Sequence, residues 1–432
     1  MLPRRSRVGA QGGAPSAVVS EFIRRHRPDY QIVLFMGMLV LIGLVVLFSI
    51  SPARVELINL GGSDLDQAHF MQKQVLYLLI GLSAFVAAAV LPLDLWRRFA
   101  GKLLLVGFGA CLLLAMLGLF MDGGIVLKAG GATRWFNLGP GTFQPAELLK
   151  FALLLFVAGF VARRVVQGKL NDVKETLMPL AVIAGLASLF VIVFQKDMGT
   201  GITMLGVVAA IVFVAGLRQR LLLLSVAALV GMGLLLIVVS PHRIDRVTTF
   251  FNPAAASDAS SYHIEMANIA IGSGGLLGKG LGESIQAFGY LPEAVNDSIF
   301  AILGETFGFV GLVVILAIFV ALLRRVVVVM DRVDDPWMRL VVAGAFGWLA
   351  THVTVNVGAM IGVFPLTGVT LPFLSFGGTS LLFTMLVLGL VFNISRYTSH
   401  QRTIKGDDSE SAYRRRGVGR TRYAGSRRYQ RA

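Results

Sequence analysis

Apolar stretches of about twenty residues recur along this chain, and no other feature limits its fold so tightly. A helix needs about 20 such residues to cross the hydrocarbon core of a bilayer, where every backbone polar group has to be satisfied within the segment. Ten candidate spans can be read, at roughly 31–50, 75–92, 103–121, 147–162, 178–195, 199–217, 220–240, 298–323, 337–364 and 376–395. The first is too long, and begins too far from residue 1, for the short apolar core of a cleaved signal sequence. The chain is 56% hydrophobic and only 15% charged, too few charges to cover two or three soluble domains of a 432-residue protein. The expected fold is all-α, a polytopic membrane protein with about ten transmembrane helices.

Orientation follows from the basic residues. If the N-terminus is cytoplasmic, 30 of the 39 Lys and Arg fall on inside segments, as the positive-inside rule requires for an even number of spans with both termini cytoplasmic. The expected organisation is a basic tail over 1–30, a membrane domain over 31–395, and a second basic, disordered tail over 396–432. The formal charge of +15 would suggest nucleic acid in a soluble chain. Here residues 1–30 carry +4 and residues 396–432 carry +8, which leaves +3 for the membrane body. The excess therefore marks topology and contact with anionic lipid, and no nucleic-acid partner is expected. The single cysteine, Cys111, excludes an internal disulfide, and six scattered histidines have no metal-ligand spacing.

Polar chemistry concentrates in three outside segments: 122–147, the large loop 241–297 between the seventh and eighth spans, and 365–375. The first contains Arg134-Trp135 and runs through Gln144 into Glu147 and Lys150, spaced i and i+3 at the start of the fourth span. Unpaired charges are costly in lipid, so Glu147 and Lys150 either pair structurally or face a polar cavity. Trp135 suits an interfacial belt or a site equally. Asp197 sits in a tight turn between the fifth and sixth spans, where a solvated turn is the plain alternative. The large loop opens with Arg243 and Arg246 and continues through a glycine run, Ile269 to Gly282, that includes Lys279. That run has neither the P-loop spacing nor the dinucleotide spacing, so its glycines are expected to allow tight turns at the interface or close backbone approach to a lipid or headgroup. The loop closes on Glu293 and on Asp297 at the rim of a helix start, where the carboxylate is either a poised base or an N-terminal cap. Residues 364–380, which include Ser375, hold too many Pro and Gly for a regular helix and read as re-entrant backbone lining a cavity.

Taken together in this order, these segments resemble the SEDS family, the shape, elongation, division and sporulation membrane proteins, over roughly residues 31 to 396. The match rests on Arg134-Trp135 through Phe143-Gln144-Pro145 with Glu147 and Lys150, and on Asp197-Met198-Gly199-Thr200. It continues through Arg243 to Pro253, the glycine run, Leu291-Pro292-Glu293-Ala294 with Asp297, Asn356, and Leu371 to Ser380. The Pro-Glu-Ala before the aspartate looks more like the division branch, FtsW, than the elongation branch, RodA. The chain departs from the usual pattern at Asn296 and Ser298 beside the aspartate, at Lys196 where proline is usual, and at Ala146 where serine is usual.

The resemblance implies a peptidoglycan glycosyltransferase that polymerises lipid II at the outer face of the bacterial cytoplasmic membrane, at the division septum if the branch is right. Asp297 takes the place of the family's catalytic aspartate, and Trp135 that of its functional tryptophan. Arg134, Gln144, Glu147, Lys150, Asp197, Arg243, Arg246, Lys279, Glu293, Asn356 and Ser375 become candidate substrate contacts. The basic residues Arg134, Lys150, Arg243 and Arg246 are candidates for the leaving diphosphate. No cofactor in a protein cage is implied; a divalent cation, Mg or Mn, held by the substrate diphosphate and one or two carboxylates stays open. Implied partners are lipid II, the growing glycan strand, a class B penicillin-binding protein that crosslinks it, and other divisome proteins. Two readings from other classes stay open: a flippase of a lipid-linked precursor, and a scaffold that only recruits cell-wall proteins.

Overall fold

Nearly every expected span becomes a helix in the computed structural model, which describes residues 27–62, 64–121, 123–129, 132–139, 141–224, 227, 231 and 258–397. The first six spans are α1 (Tyr30–Leu60), α2 (His69–Val90), α3 (Leu93–Phe120), α4 (Pro145–Val166), α5 (Met178–Phe194, entered by a π turn at Val173–Leu177) and α6 (Met198–Val214). The seventh, 220–240, lies mostly outside the described residues, as do Arg243, Arg246 and nearly all of both basic tails. After the large loop come α8 (Ile299–Arg332), α9 (Pro336–Met360) and α10 (Gly378–Ile394). The protein is thus a polytopic, overwhelmingly helical membrane protein. Among the described residues, eight helical segments are long and apolar enough to cross a bilayer, and α6 is a shorter apolar helix.

Local signals explain the helix starts. Asp29 caps α1 by accepting from the Gln31 N–H, Asp197 caps α6 through Thr200, and Asp335 caps α9 through Met338. Pro145 and Pro336 occupy first-turn positions, where a missing N–H costs nothing. Two segments expected as loops carry structure of their own. Residues 126–143 form a three-stranded antiparallel sheet, β1 (Val126–Ala129), β2 (Ala132–Asn137) and β3 (Thr142–Phe143), and α7 (Asp258–Ser273) lies within the large loop.

Burial separates the centre of the bundle from its lipid-facing rim. Over their most apolar stretches α4 and α10 are each 78% buried, against 22% for α3. On α3, Leu105 and Leu119 are exposed, as lipid-facing residues should be. α10 packs on α2, α9 on α6 and α4 on α3. The α6–α9 crossing depends on small residues, because a Cβ on Gly347 would meet the Gly206 carbonyl and the Ala210 methyl.

The start of the first helix and the end of the last meet at one end of the bundle. The Asp29 N–H donates to Ser395 Oγ at 2.9 Å, and Arg325, near the end of α8, donates to the Asp29 carboxylate. An even number of crossings between Asp29 and Ser395 satisfies that arrangement.

At the other end α8 is broken. Gly308 has φ 66° and ψ −169° in the middle of the helix, and the glycine run docks into the gap. Lys279 and Gly280 donate to the carbonyls of Glu305 and Thr306, and Phe309 and Val310 donate to those of Gly275 and Leu276. The close backbone approach is therefore to another helix of the same chain and not, as expected from sequence, to a lipid or headgroup. Gly278, at φ 82°, has no room for a Cβ against Thr306 O.

Candidate active site at the end of the bundle

The starts of α4, α6 and α10, the body of α9, β2, the turn before α8 and the non-helical segment 368–377 border a cavity of about 530 Å³. The start of α4 contributes Gln144 and Glu147, the start of α6 Asp197 and Thr200, and α9 contributes His352. The turn before α8 supplies Glu293, Asn296 and Asp297, β2 supplies Arg134 and Trp135, and the first turn of α10 supplies Gly378, Thr379 and Ser380. Seven of the residues singled out from sequence, 134, 135, 144, 147, 197, 293 and 297, thus share one cavity although 163 positions separate the first from the last.

Each is held by identifiable bonds. Asp197 accepts from Gln144 Nε2 at 2.8 Å and from the Thr200 N–H and hydroxyl at 2.9 and 2.8 Å. It is a helix cap that ties two elements together, and the solvated-turn alternative falls away. Arg134 donates through Nε and Nη2 to the carbonyls of Gln195 and Lys196 at 3.2 and 2.8 Å and lies 5.9 Å from the Trp135 ring centre. The sheet is thereby latched to the α5–α6 turn. Lys196, Glu293 and Phe373 have positive φ, which is uncommon for residues other than glycine. All three lie on segments that border the cavity, where backbone strain is held only by a surrounding structure that over-determines it.

The turn carrying Asp297 is fixed from three sides. Asn356 donates from Nδ2 to the carbonyls of Asp297 and Val369, both at 2.7 Å. The Phe376 N–H donates to Val295 O at 2.8 Å, and Asn296 donates to the Glu293 carboxylate. The N-cap position of α8 belongs to Ser298, whose hydroxyl lies 2.7 Å from His263 Nε2. Residues 361–377 are non-helical, yet Thr367, Val369, Leu371, Phe373, Leu374 and Ser375 are buried. This is the cavity-lining re-entrant backbone expected from the prolines and glycines.

Four candidates have other positions. Lys150 is fully buried below the cavity, not in its wall. Its Nζ donates to Glu147 Oε1 at 2.8 Å and to His352 Nε2 at 2.9 Å, and it sits 4.0 Å from the Trp348 ring centre. A side chain so enclosed orders the site; its charge is already committed to Glu147. Lys279 lies outside the cavity and pairs with Glu305 at 2.7 Å, because the glycine run folds onto α8. Ser375 turns inward, its hydroxyl accepting from the Leu371 N–H at 2.8 Å to close a tight loop. Asn356 acts from behind the wall through Asp297 and Val369.

Sequence reasoning missed His352. Its Nδ1 faces the Thr370 carbonyl at 3.1 Å; donating there makes Nε2 the acceptor for Lys150. The overlooked signal was spacing: Trp348, His352 and Asn356 are four residues apart, a polar and aromatic stripe on one face of a membrane helix. Tyr77, Thr200, Thr370, Thr379 and Ser380 also line the cavity; Thr200, Thr379 and Ser380 lie in segments that carried the resemblance but were not selected as site residues, and Tyr77, a lone polar residue on an apolar helix, gave no sequence signal. Among the described residues no group of three or more His, Cys, Asp or Glu could hold a metal ion.

Comparison with known proteins points the same way. A sequence 36% identical over 389 residues, covering 88% of this chain and 94% of the relative, is the probable peptidoglycan glycosyltransferase FtsW of Thiomicrospira cyclica. Stage V sporulation protein E of Bacillus subtilis is 33% identical, covering 87% of this chain and 99% of its own length. Among solved structures, a chain of a peptidoglycan synthase complex that coordinates polymerization and crosslinking superposes with a TM-score of 0.64 at 28% identity, covering 85% of this chain and 98% of that one. The rod shape determining protein RodA of Thermus thermophilus gives 0.58 at 28% identity, covering 86% and 98%. The family model of the cell cycle proteins FtsW, RodA and SpoVE matches residues 30–400, and the chain belongs to that family.

Proposed function

We propose that this protein is a peptidoglycan glycosyltransferase that polymerises lipid II at the outer face of the bacterial cytoplasmic membrane, in septal wall synthesis during division. The observation that carries this reading is the convergence of Asp297, Glu147, Asp197, Arg134 and Trp135 on one cavity at a single end of a membrane bundle. The 4-hydroxyl of one lipid-linked disaccharide attacks the anomeric carbon of another, the glycosidic bond forms with inversion, and a polyprenyl diphosphate leaves. Asp297 takes the hydroxyl proton; general-base catalysis is typically worth about 10² to 10⁴ in rate. The leaving diphosphate meets the Arg134 guanidinium and the first turn of α10, where Gly378, Thr379 and Ser380 border the cavity.

The cavity wall holds four carboxylates against that one guanidinium, so a diphosphate arriving there needs further positive charge. A divalent cation carried by the diphosphate supplies it. Glu147 Oε2, buried with no hydrogen-bond partner, fits as a neighbour for such an ion. Arg243 and Arg246, outside the described residues, are the other source.

The transpeptidase partner is a class B penicillin-binding protein, a reading supported by the fold shared with a chain of a peptidoglycan synthase complex. The names of the FtsW relatives support division over elongation. The test is lipid II polymerisation by purified protein in proteoliposomes, with translocation followed in the same vesicles. Asp297→Asn is expected to insert and fold normally and to lose polymerisation. Full polymerisation by that variant would falsify the assignment, and translocation by wild type without polymerisation would favour a flippase. A fluorescent fusion concentrated at midcell supports the septal role, and one spread along the sidewall overturns it.

A further inference from the structure

A second concavity lies at the opposite end of the bundle. It holds about 210 Å³ between the start of α3, the end of α4 and the start of α9, and is lined by Arg97, Arg163, Val166, Gln167, Pro336 and Trp337, with Ala162 at its floor. Both arginines are exposed. Arg163 spends Nε on the Gly159 carbonyl at 3.2 Å, and no hydrogen bond of its other guanidinium nitrogens is seen among the described residues. Arg97 lies over the Trp337 ring at 5.8 Å. Its nearest carboxylate oxygen, on Asp335, is 4.0 Å away, too far for a hydrogen bond.

Trp337 rules out the ordinary explanation of a tryptophan at this depth. A residue of the interfacial aromatic belt faces lipid, whereas Trp337 is 2% exposed. Its indole Nε1 is buried and has no acceptor. That N–H sits against α4 beside Gly159, out of reach of a ligand. The site therefore rests on the two guanidinium groups, which border one concavity over the indole ring and describe a receptor for phosphate oxygens. Val166, 76% exposed beside them, extends apolar surface from the rim toward the lipid.

We propose that this concavity binds the phosphate headgroup of an anionic phospholipid in the leaflet opposite the polymerisation cavity. Basic clefts between transmembrane helices are suited to such headgroups, and the apolar rim distinguishes a phospholipid from a soluble phosphate. The site is separate from the glycosyl-transfer chemistry and stands whether or not that assignment holds.

The experiment is native mass spectrometry of the purified full chain titrated with dioctanoyl phosphatidylglycerol, dioctanoyl phosphatidylcholine and inorganic phosphate. Phosphatidylglycerol should bind, phosphatidylcholine should bind at least tenfold more weakly, and 10 mM phosphate should not compete, concentrations and ratios here being of the order expected for charge-assisted contacts. The double variant Arg97→Gln, Arg163→Gln should weaken phosphatidylglycerol about tenfold or more. The charge-matched Arg98→Gln, Arg339→Gln variant should leave it unchanged. Equal weakening by both double variants would mean diffuse electrostatics and overturn the site. So would unchanged binding in Arg97→Gln, Arg163→Gln, and competition by free phosphate would overturn the lipid assignment.

Discussion

Asn356 Nδ2 lies 2.7 Å from the carbonyl oxygen of Asp297, and the same amide donates at 2.7 Å to Val369. One side chain on α9 therefore joins the turn that presents the proposed base to the re-entrant segment that forms the facing wall. Asn356 is a positioning residue: it touches the main chain of Asp297 and leaves the carboxylate to the cavity.

Asn356→Ala should lower kcat for lipid II polymerisation at least tenfold with KM changed less, because a displaced base hurts the transition state more than ground-state binding. Asn356→Gln, which keeps the amide on a longer arm, should fall between. Steady-state kinetics in proteoliposomes, with thermal unfolding as a control for folding, checks both. Equal effects on kcat and KM would point to a general structural role.

Lys150→Met leaves Glu147 buried without its cation and removes the donor to His352. Breaking a buried pair from one side costs about 3–5 kcal/mol, so thermal unfolding of the detergent-solubilised protein should drop clearly. The double variant Glu147→Gln, Lys150→Met should recover more than half of the loss, since no uncompensated charge stays buried.

Asp197→Ala removes the α6 cap and the acceptor of Gln144. Loss of an N-cap costs about 0.5–2 kcal/mol, and Asp197→Asn, which keeps a cap oxygen, should lose less. The readout is the unfolding midpoint of each variant beside that of Gln144→Ala, which should leave the cap in place and destabilise less than Asp197→Ala.

Glu305 is fully buried and accepts from Lys279, Ser273, Ser284 and the N–H groups of Ile285 and Gln286. Glu305→Ala orphans all of them, whereas Lys279→Met leaves the carboxylate its hydroxyl and amide donors. The first should therefore lower the unfolding midpoint more than the second. Gly278→Ala should also destabilise, since its Cβ would meet the α8 backbone at a positive φ. A Gly278→Ala protein as stable as wild type would show that the run can move away from the break.

The sequence by itself determined that the chain is a helical membrane bundle and where most of its spans lie, but not the sheet over 126–143 or the helix within the large loop. Hydropathy depends only on neighbours along the chain, so most of the spans and the irregular backbone within 364–380 were legible from local pattern; the caps at Asp29 and Asp335 were not singled out, and Asp197 was read as a turn. The i, i+3 spacing of Glu147 and Lys150 was enough to expect a pair or a polar cavity; the structure shows the pair itself beneath a cavity that Glu147 lines. Which residues meet across the bundle depends on helix rotation and on where the non-helical backbone folds back, and neither is written in any one segment. Only the tertiary structure therefore sent Lys279 to Glu305 and away from the cavity, closed Ser375 onto its own loop, and set His352 between Lys150 and Thr370. It also decided that the cavity wall, among the described residues, is mainly acidic. Sequence reasoning expected outer-face cations around Asp297; of those in the described residues, packing buries Lys150 against Glu147 and leaves Arg134 facing four carboxylates, because in a low-dielectric interior each charge is driven to the partner its helix can reach.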